Sequence, residues 1–120
     1  MGSRRNPDIP YLHNIEKRYI ELEISRYHYY KQILELMKND KDLPLISSLV
    51  VMHMQILISA VDRVMKRCSA DHLIMLNDCL LRNHYTVYEL SIKQGYSIET
   101  GRRYKRWILE NVAKELGIMK

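Results

Sequence analysis

The chain has 120 residues and is poor in the residues that punctuate or cross-link a fold, with 4 glycines, 3 prolines and 2 cysteines. So few glycines leave no Gly-rich loop that could cradle a phosphate with backbone N–H groups. Pro7 and Pro10 stand in a polar lead and Pro44 in a short linker, outside the periodic apolar stretches. Cys68 and Cys79 have neither CxxC nor Cys/His ligand spacing. That arithmetic predicts reduced, buried thiols in a cytosolic setting. The histidines, His13, His28, His53, His72 and His84, are scattered, and no pair has the i,i+4 spacing beside a carboxylate that a zinc site requires. No nucleophile stands beside a base at a useful spacing, so no catalytic residue, metal or cofactor is expected and the chain does not read as an enzyme. No strand pattern, repeat or low-complexity tract appears.

What is present is charge and helical periodicity. The net charge of +5 and a pI of about 9.2 favour an acidic partner such as nucleic acid. Hydrophobic residues make up 47%, enough to exclude a disordered chain. The length allows one domain, or a small domain with an arm.

Residues 1–10 read as a flexible lead without the apolar core of a signal peptide. Residues 11–68 read as a helical, oligomerising region, and residues 69–120 as a helix-turn-helix, DNA-binding region on the strength of the stretch from Thr86 to Gly117. From Tyr11 the apolar spacing alternates three and four: Leu12, Ile15, Tyr19 and Leu22, then Arg26, Tyr29, Ile33 and Leu36. This heptad-like stripe predicts one long helix, or two bent near 25–28, with core packing or a coiled-coil contact along it. Asn39 to Pro44 is a linker with turn chemistry. From Leu43 to Val61 no residue is charged. A membrane span is rejected there because His53 and Gln55 sit at its centre and serines dilute it. A soluble helix apolar on nearly every face is expected instead, which either gives one face to a second subunit, with Val51 and Ile58 on the uncovered side, or is wrapped by the first helical region within one chain. Ser69 predicts the next N-cap, with Leu73, Leu76 and Leu80 inward and Ile74 and Leu81 beside them.

The most informative stretch runs from Thr86 to Gly117. Thr86 and Glu89 have the spacing of a capping box. Gly95 is placed to end that helix in a left-handed conformation, and Ser97 to cap the next. A short helix, a glycine turn and a longer helix form a helix-turn-helix candidate, with small Ser91 where the two must approach closely. At about 100° per residue, Gly101, Tyr104, Ile108, Val112 and Leu116 share one stripe of the second helix. Glu99, Arg102, Arg103, Arg106 and Glu110 fall opposite. Three arginines on an outward face suit phosphates, or guanine edges in a DNA major groove. On this reading Arg102, Arg103 and Arg106 face the groove, Ser97, Glu99 and Thr100 flank it, and Lys93 and Lys105 contact phosphates.

The span Val61–Gly117 resembles the C-terminal part of RinA-like phage transcriptional activators, and more loosely ArpU-type phage regulators and region 4 of sigma factors. The likeness rests on Val61-Asp-Arg-Val-Met65, Leu90-Ser91, Ser97-x-x-Thr100, Tyr104-Lys105-Arg106 and Val112-Ala113-Lys114-Glu115-Leu116-Gly117. Upstream, Tyr29-Tyr30-Lys31-Gln32-Ile33 is similar to the tyrosine-rich helical region of such proteins. The resemblance implies promoter binding and activation of phage late genes in the bacterial cytoplasm, acting through RNA polymerase.

The expectation is therefore an all-α fold of four or five helices with a C-terminal helix-turn-helix of sigma-region-4 type. It would act on double-stranded DNA as a homodimer or higher homo-oligomer, with no membrane partner. A small terminase-like DNA-packaging subunit is one alternative reading, and a protein–protein module such as an anti-repressor is another.

Overall fold

Four of the helix starts in this chain are set by hydroxyl side chains. Ser47, Ser69, Thr86 and Ser97 each place a side-chain oxygen to accept a backbone N–H from the first turn of the helix that follows. The protein's structure is a computed structural model describing residues 12–39 and 47–119. The lead 1–10 and all but Asn39 of the linker 39–44 lie outside the described residues. Among the described residues the chain is all-helical: α1 (Asn14–Ser25), α2 (Tyr27–Asn39), α3 (Ser48–Arg67), α4 (Ala70–Ile74), α5 (Val87–Gln94) and α6 (Ile98–Glu115). A π-helical segment, Met75–Leu81, continues α4. The count of helices thus exceeds the four or five expected, because the first region divides at Arg26 and the Ser69 helix changes its winding.

α3 is the spine. Its inner residues Met54, Leu57, Ala60, Val61 and Val64 are buried, and α2 and α6 pack along it. The Tyr27 hydroxyl donates to Asp62, tying α2 to the C-terminal half of α3. Burial, first, and the neighbouring Asp62 carboxylate hold the Tyr27 hydroxyl well above its ordinary pKa, so it remains a donor. At the far end Arg63 and Arg67 reach Glu115 of α6 at 3.3 and 2.7 Å.

Two expected faces are displaced. The stripe spaced by threes and fours in α1 and α2 points largely outward: Ile15 is 82% exposed and Tyr29 60%. Tyr19, Leu22 and Leu36 are exposed with them. Of that stripe Leu12 is buried, but the rest of the core side is Ile20, Ile24, Tyr27 and Tyr30, together with a buried carboxylate, Glu23. Glu23 accepts from the Tyr30 hydroxyl at 3.2 Å, lies 2.9 Å from His53 Nε2 and 3.8 Å from the Arg26 guanidinium. Polar partners therefore let a charged residue occupy an inward position that the apolar pattern leaves unmarked. His53 is hydrogen-bonded to Glu23 while its side chain remains exposed, although the sequence places it among aliphatic residues.

The second displacement comes from the π segment. Leu76 and Leu80 are buried as expected, with Leu81 beside them, and the wider winding adds Met75 and Cys79 to the core; Leu73, one turn earlier in α4, is exposed instead of inward. The Arg82 N–H still bonds the Asn77 carbonyl, five residues back, at 3.0 Å.

α3 is long and apolar enough to cross a membrane by length and composition. Its uncovered side is not the one expected. Val51 and Ile58 are half-buried and line a groove with Lys31, Leu34 and Met37 of α2, so the first helical region covers them. Leu49, Met52 and Ile56, at helical spacing, are left exposed, with Val50 beside them.

Candidate nucleic-acid interface

The unit of interest is assembled from α5, a three-residue turn and α6. Thr86 caps α5: its Oγ1 accepts the Glu89 N–H, and the Glu89 carboxylate accepts the Thr86 N–H, each at 3.1 Å. Gly95 ends α5 with φ of 80° and donates its N–H to Ser91 and Ile92 carbonyls, as the left-handed cap requires. Tyr96 and Ser97 complete the turn. Leu90 and Ser91 are fully buried beneath α6.

The crossing of α5 over α6 is set by two small residues. A Cβ built at Gly101 would meet Ser91 Oγ at 2.1 Å and Val87 Cγ1 at 3.2 Å. Ser91 Oγ is in turn bonded to the Val87 carbonyl at 2.7 Å, which satisfies the hydroxyl within its own helix. The close approach read from Ser91 in the sequence is thus present, and its partner is Gly101.

α6 then divides into faces as its periodicity dictates. Gly101, Ile108 and Val112 are buried, joined by Leu109 and Ala113, while Tyr104 and Leu116 are half-buried. Glu99, Arg102, Arg103 and Arg106 are exposed and Glu110 half-exposed. Ser97 Oγ accepts the Thr100 N–H at 3.1 Å and donates to Thr100 Oγ1 at 3.0 Å. The same Thr100 oxygen accepts from the Arg103 guanidinium at 3.2 Å. Ser97, Thr100 and Arg103 form one polar chain that orients Arg103 at the start of the helix. Among the described residues, no carboxylate forms an ion pair with Arg102, Arg103 or Arg106.

The two lysines differ from these arginines. Lys93 donates to the Tyr85 hydroxyl at 2.9 Å and lies over that ring at 4.5 Å. The Tyr85 hydrogen bond raises its pKa, so the ammonium of this last-turn residue of α5 is charged and held against Tyr85. Lys105 is half-buried and paired at 2.5 Å with Glu21 of α1, so its charge is already met within the chain.

On the side of α6 turned towards α4, His72 stacks on Trp107, ring centroids 4.2 Å apart and 8° from parallel, and meets Tyr104 edge-on at 5.0 Å. This aromatic group fixes the roll of α6. Burial pulls the His72 pKa below its usual value, with Asp71 acting against it.

Neither protein-family models, nor curated proteins, nor solved structures match this chain. The geometry must stand on its own chemistry. No group of three or more histidine, cysteine or acidic side chains placed to hold a metal occurs among the described residues. Burial raises the pKa of both thiols, Cys68 and Cys79, and so makes them poor nucleophiles. Sequence reasoning did not mark Lys17 of α1, which lines a groove with Arg102 and Arg106. No local signal could have marked it, because α1 and α6 are far apart in the chain and only their packing joins them.

Proposed function

We propose that this protein is a sequence-specific DNA-binding regulator whose recognition helix is α6. The observation that carries the reading is the outward set Arg102, Arg103 and Arg106, exposed and without an ion-pair partner among the described residues. Cations left unneutralised on one rigid face, after a capped turn, suit an external anion better than a purely solvated surface. Arg103, held by Thr100, is the best placed to present its fork to a base edge. Ser97, Glu99 and Thr100 stand at the same end, and Lys93 suits a phosphate beside it. Lys105 requires release from Glu21 before it can serve as a phosphate contact.

The α5–turn–α6 unit is read as a helix-turn-helix of sigma-region-4 type. The resemblance to RinA-like phage activators extends the reading to promoter binding and late-gene activation, with RNA polymerase as partner, in the bacterial cytoplasm. The exposed strip Leu49, Met52 and Ile56 supports self-association through α3, and a two-fold pair would present two α6 helices to neighbouring half-sites. We read α3 as a scaffold helix rather than a membrane span, since its inner face serves the same core as α6.

The test is titration of the chain with duplexes from its own genomic neighbourhood and with a mixed-sequence duplex. Tighter, salt-sensitive binding to one neighbourhood duplex supports a regulator. Salt-insensitive or absent binding would favour a protein–protein module such as an anti-repressor. A ring of many subunits by light scattering would favour a small terminase-like packaging role.

A further inference from the structure

The strongest cationic feature that reaches beyond the α5–turn–α6 unit lies between α1 and α6. A groove of about 370 Å³ is lined there by Lys17 and Glu21 of α1, Val87 of α5, and Arg102, Lys105 and Arg106 of α6. Four cations thus share one trough with a single carboxylate. That carboxylate is engaged, since Glu21 holds Lys105 at 2.5 Å. Lys17, Arg102 and Arg106 form no ion pair among the described residues. Like charges gathered at one place repel unless an anion enters, and the groove is open to receive one.

We infer that this trough is a backbone-phosphate site, in which Lys17 acts with Arg102 and Arg106 on the strand bordering the major groove. The inference rests on the DNA-binding reading of α6 and deepens it by making α1 part of the interface. A lysine suits this role as a mobile point charge, able to follow a phosphate without reading sequence. The Glu21–Lys105 pair lines the trough and limits its charge. Position relative to the recognition helix decides the ligand class: an anion in the trough lies beside Arg102 and Arg106, whose outward neighbours are Glu99 and Arg103. A polyanion that runs past α6 meets both sets at once, whereas a small free anion engages only the trough.

The experiment is an anisotropy titration of the full chain against a fluorescein-labelled mixed-sequence duplex, from about 50 to 200 mM salt. The parent, Lys17→Ala, Glu21→Gln and, as a remote cation of the α2–α3 groove, Lys38→Ala are compared. Lys17→Ala should reduce the steepness of log K against log salt by about 0.9, the value of one phosphate contact on B-form DNA. Lys38→Ala should leave the slope unchanged. Glu21→Gln, which removes the carboxylate and frees Lys105, should steepen it. An unchanged slope in Lys17→Ala, beside a steep parental slope, overturns the inference and leaves the α6 reading standing. An equal loss in Lys38→Ala overturns it as well, since the effect would then be general charge. A parent without salt-dependent binding removes both readings together. Inorganic phosphate that competes with the duplex equally for the parent and for Lys17→Ala would also exclude Lys17 from the anion site.

Discussion

Gly101 and Ser91 approach so closely that a Cβ at position 101 would lie 2.1 Å from the Ser91 hydroxyl oxygen. The glycine costs about 1 kcal/mol in helix propensity relative to alanine, and the close crossing of α5 and α6 explains its place in α6. Gly101→Ala should therefore destabilise the protein by about 1–3 kcal/mol, the usual cost of overpacking. In a Ser91→Ala background the nearest obstacles are Val87 Cγ1 at 3.2 Å and the residue 91 Cβ at 3.4 Å, so most of that loss should vanish. Chemical denaturation of the four proteins of this double-mutant cycle measures the coupling. Additive effects would mean that the two residues do not set the crossing. Gly101→Leu, too large for either background, should lose fold and DNA binding together.

The exposed strip of α3 should be where two chains meet. Met52→Glu or Ile56→Glu is expected to convert a dimer to a folded monomer and weaken DNA binding through loss of the paired half-site. Val51→Glu should instead damage the fold, because that side chain packs under α2. Light scattering at tens of micromolar protein gives the mass. A monomeric parent would end this part of the account. A dimer broken by Leu22→Glu but not by Met52→Glu would move the contact to the outward stripe of α1 and α2.

His72 gives the fold a defined response to mild acid. Its folded pKa is lowered by burial against Trp107 and Tyr104, while the unfolded imidazole titrates near the ordinary value of about 6.5. Between those values the unfolded chain binds more protons, so stability rises with pH across the window. The contribution is present in full above about pH 6.5 and is lost as pH falls through the folded value. His72→Phe keeps a ring on Trp107 and removes the titration, so its melting temperature should fall less than the parent's from about pH 7.5 to 5.5. Equal falls in both proteins would place the acid sensitivity elsewhere.

The parts of this molecule that were legible in the sequence are those governed by local chemistry. Hydroxyls at Ser69, Thr86 and Ser97 start helices, Gly95 ends one, and the 100° period sorts the arginines of α6 from its core face. These signals act within a turn or two, so a sequence carries them whole. What could not be read depends on partners remote in the chain. The three-and-four spacing of Ile15, Tyr19 and Leu22 suggested a buried seam, yet the fold buries Ile20, Glu23 and Ile24 because Tyr30 and His53 satisfy the carboxylate. The α-helical period places Leu76 and Leu80 correctly but not Leu73, and the π winding after Ile74 adds Met75 and Cys79 to the core. Lys105 looked like a spare cation until α1 brought Glu21 beside it.

The central claim is that the outward arginines of α6 bind DNA, and one measurement bears on it most directly. Duplex affinity is followed across salt for the parent and for Arg103→Ala and Arg106→Ala, each checked by melting to be as stable as the parent. A base contact should cost about 1–3 kcal/mol on the cognate duplex and relax preference at one position. A phosphate contact should weaken every duplex alike and reduce the salt slope by about one unit. The account predicts one of these losses for each variant. Affinity and slope equal to the parent's in both variants would contradict it and return the arginines to solvent.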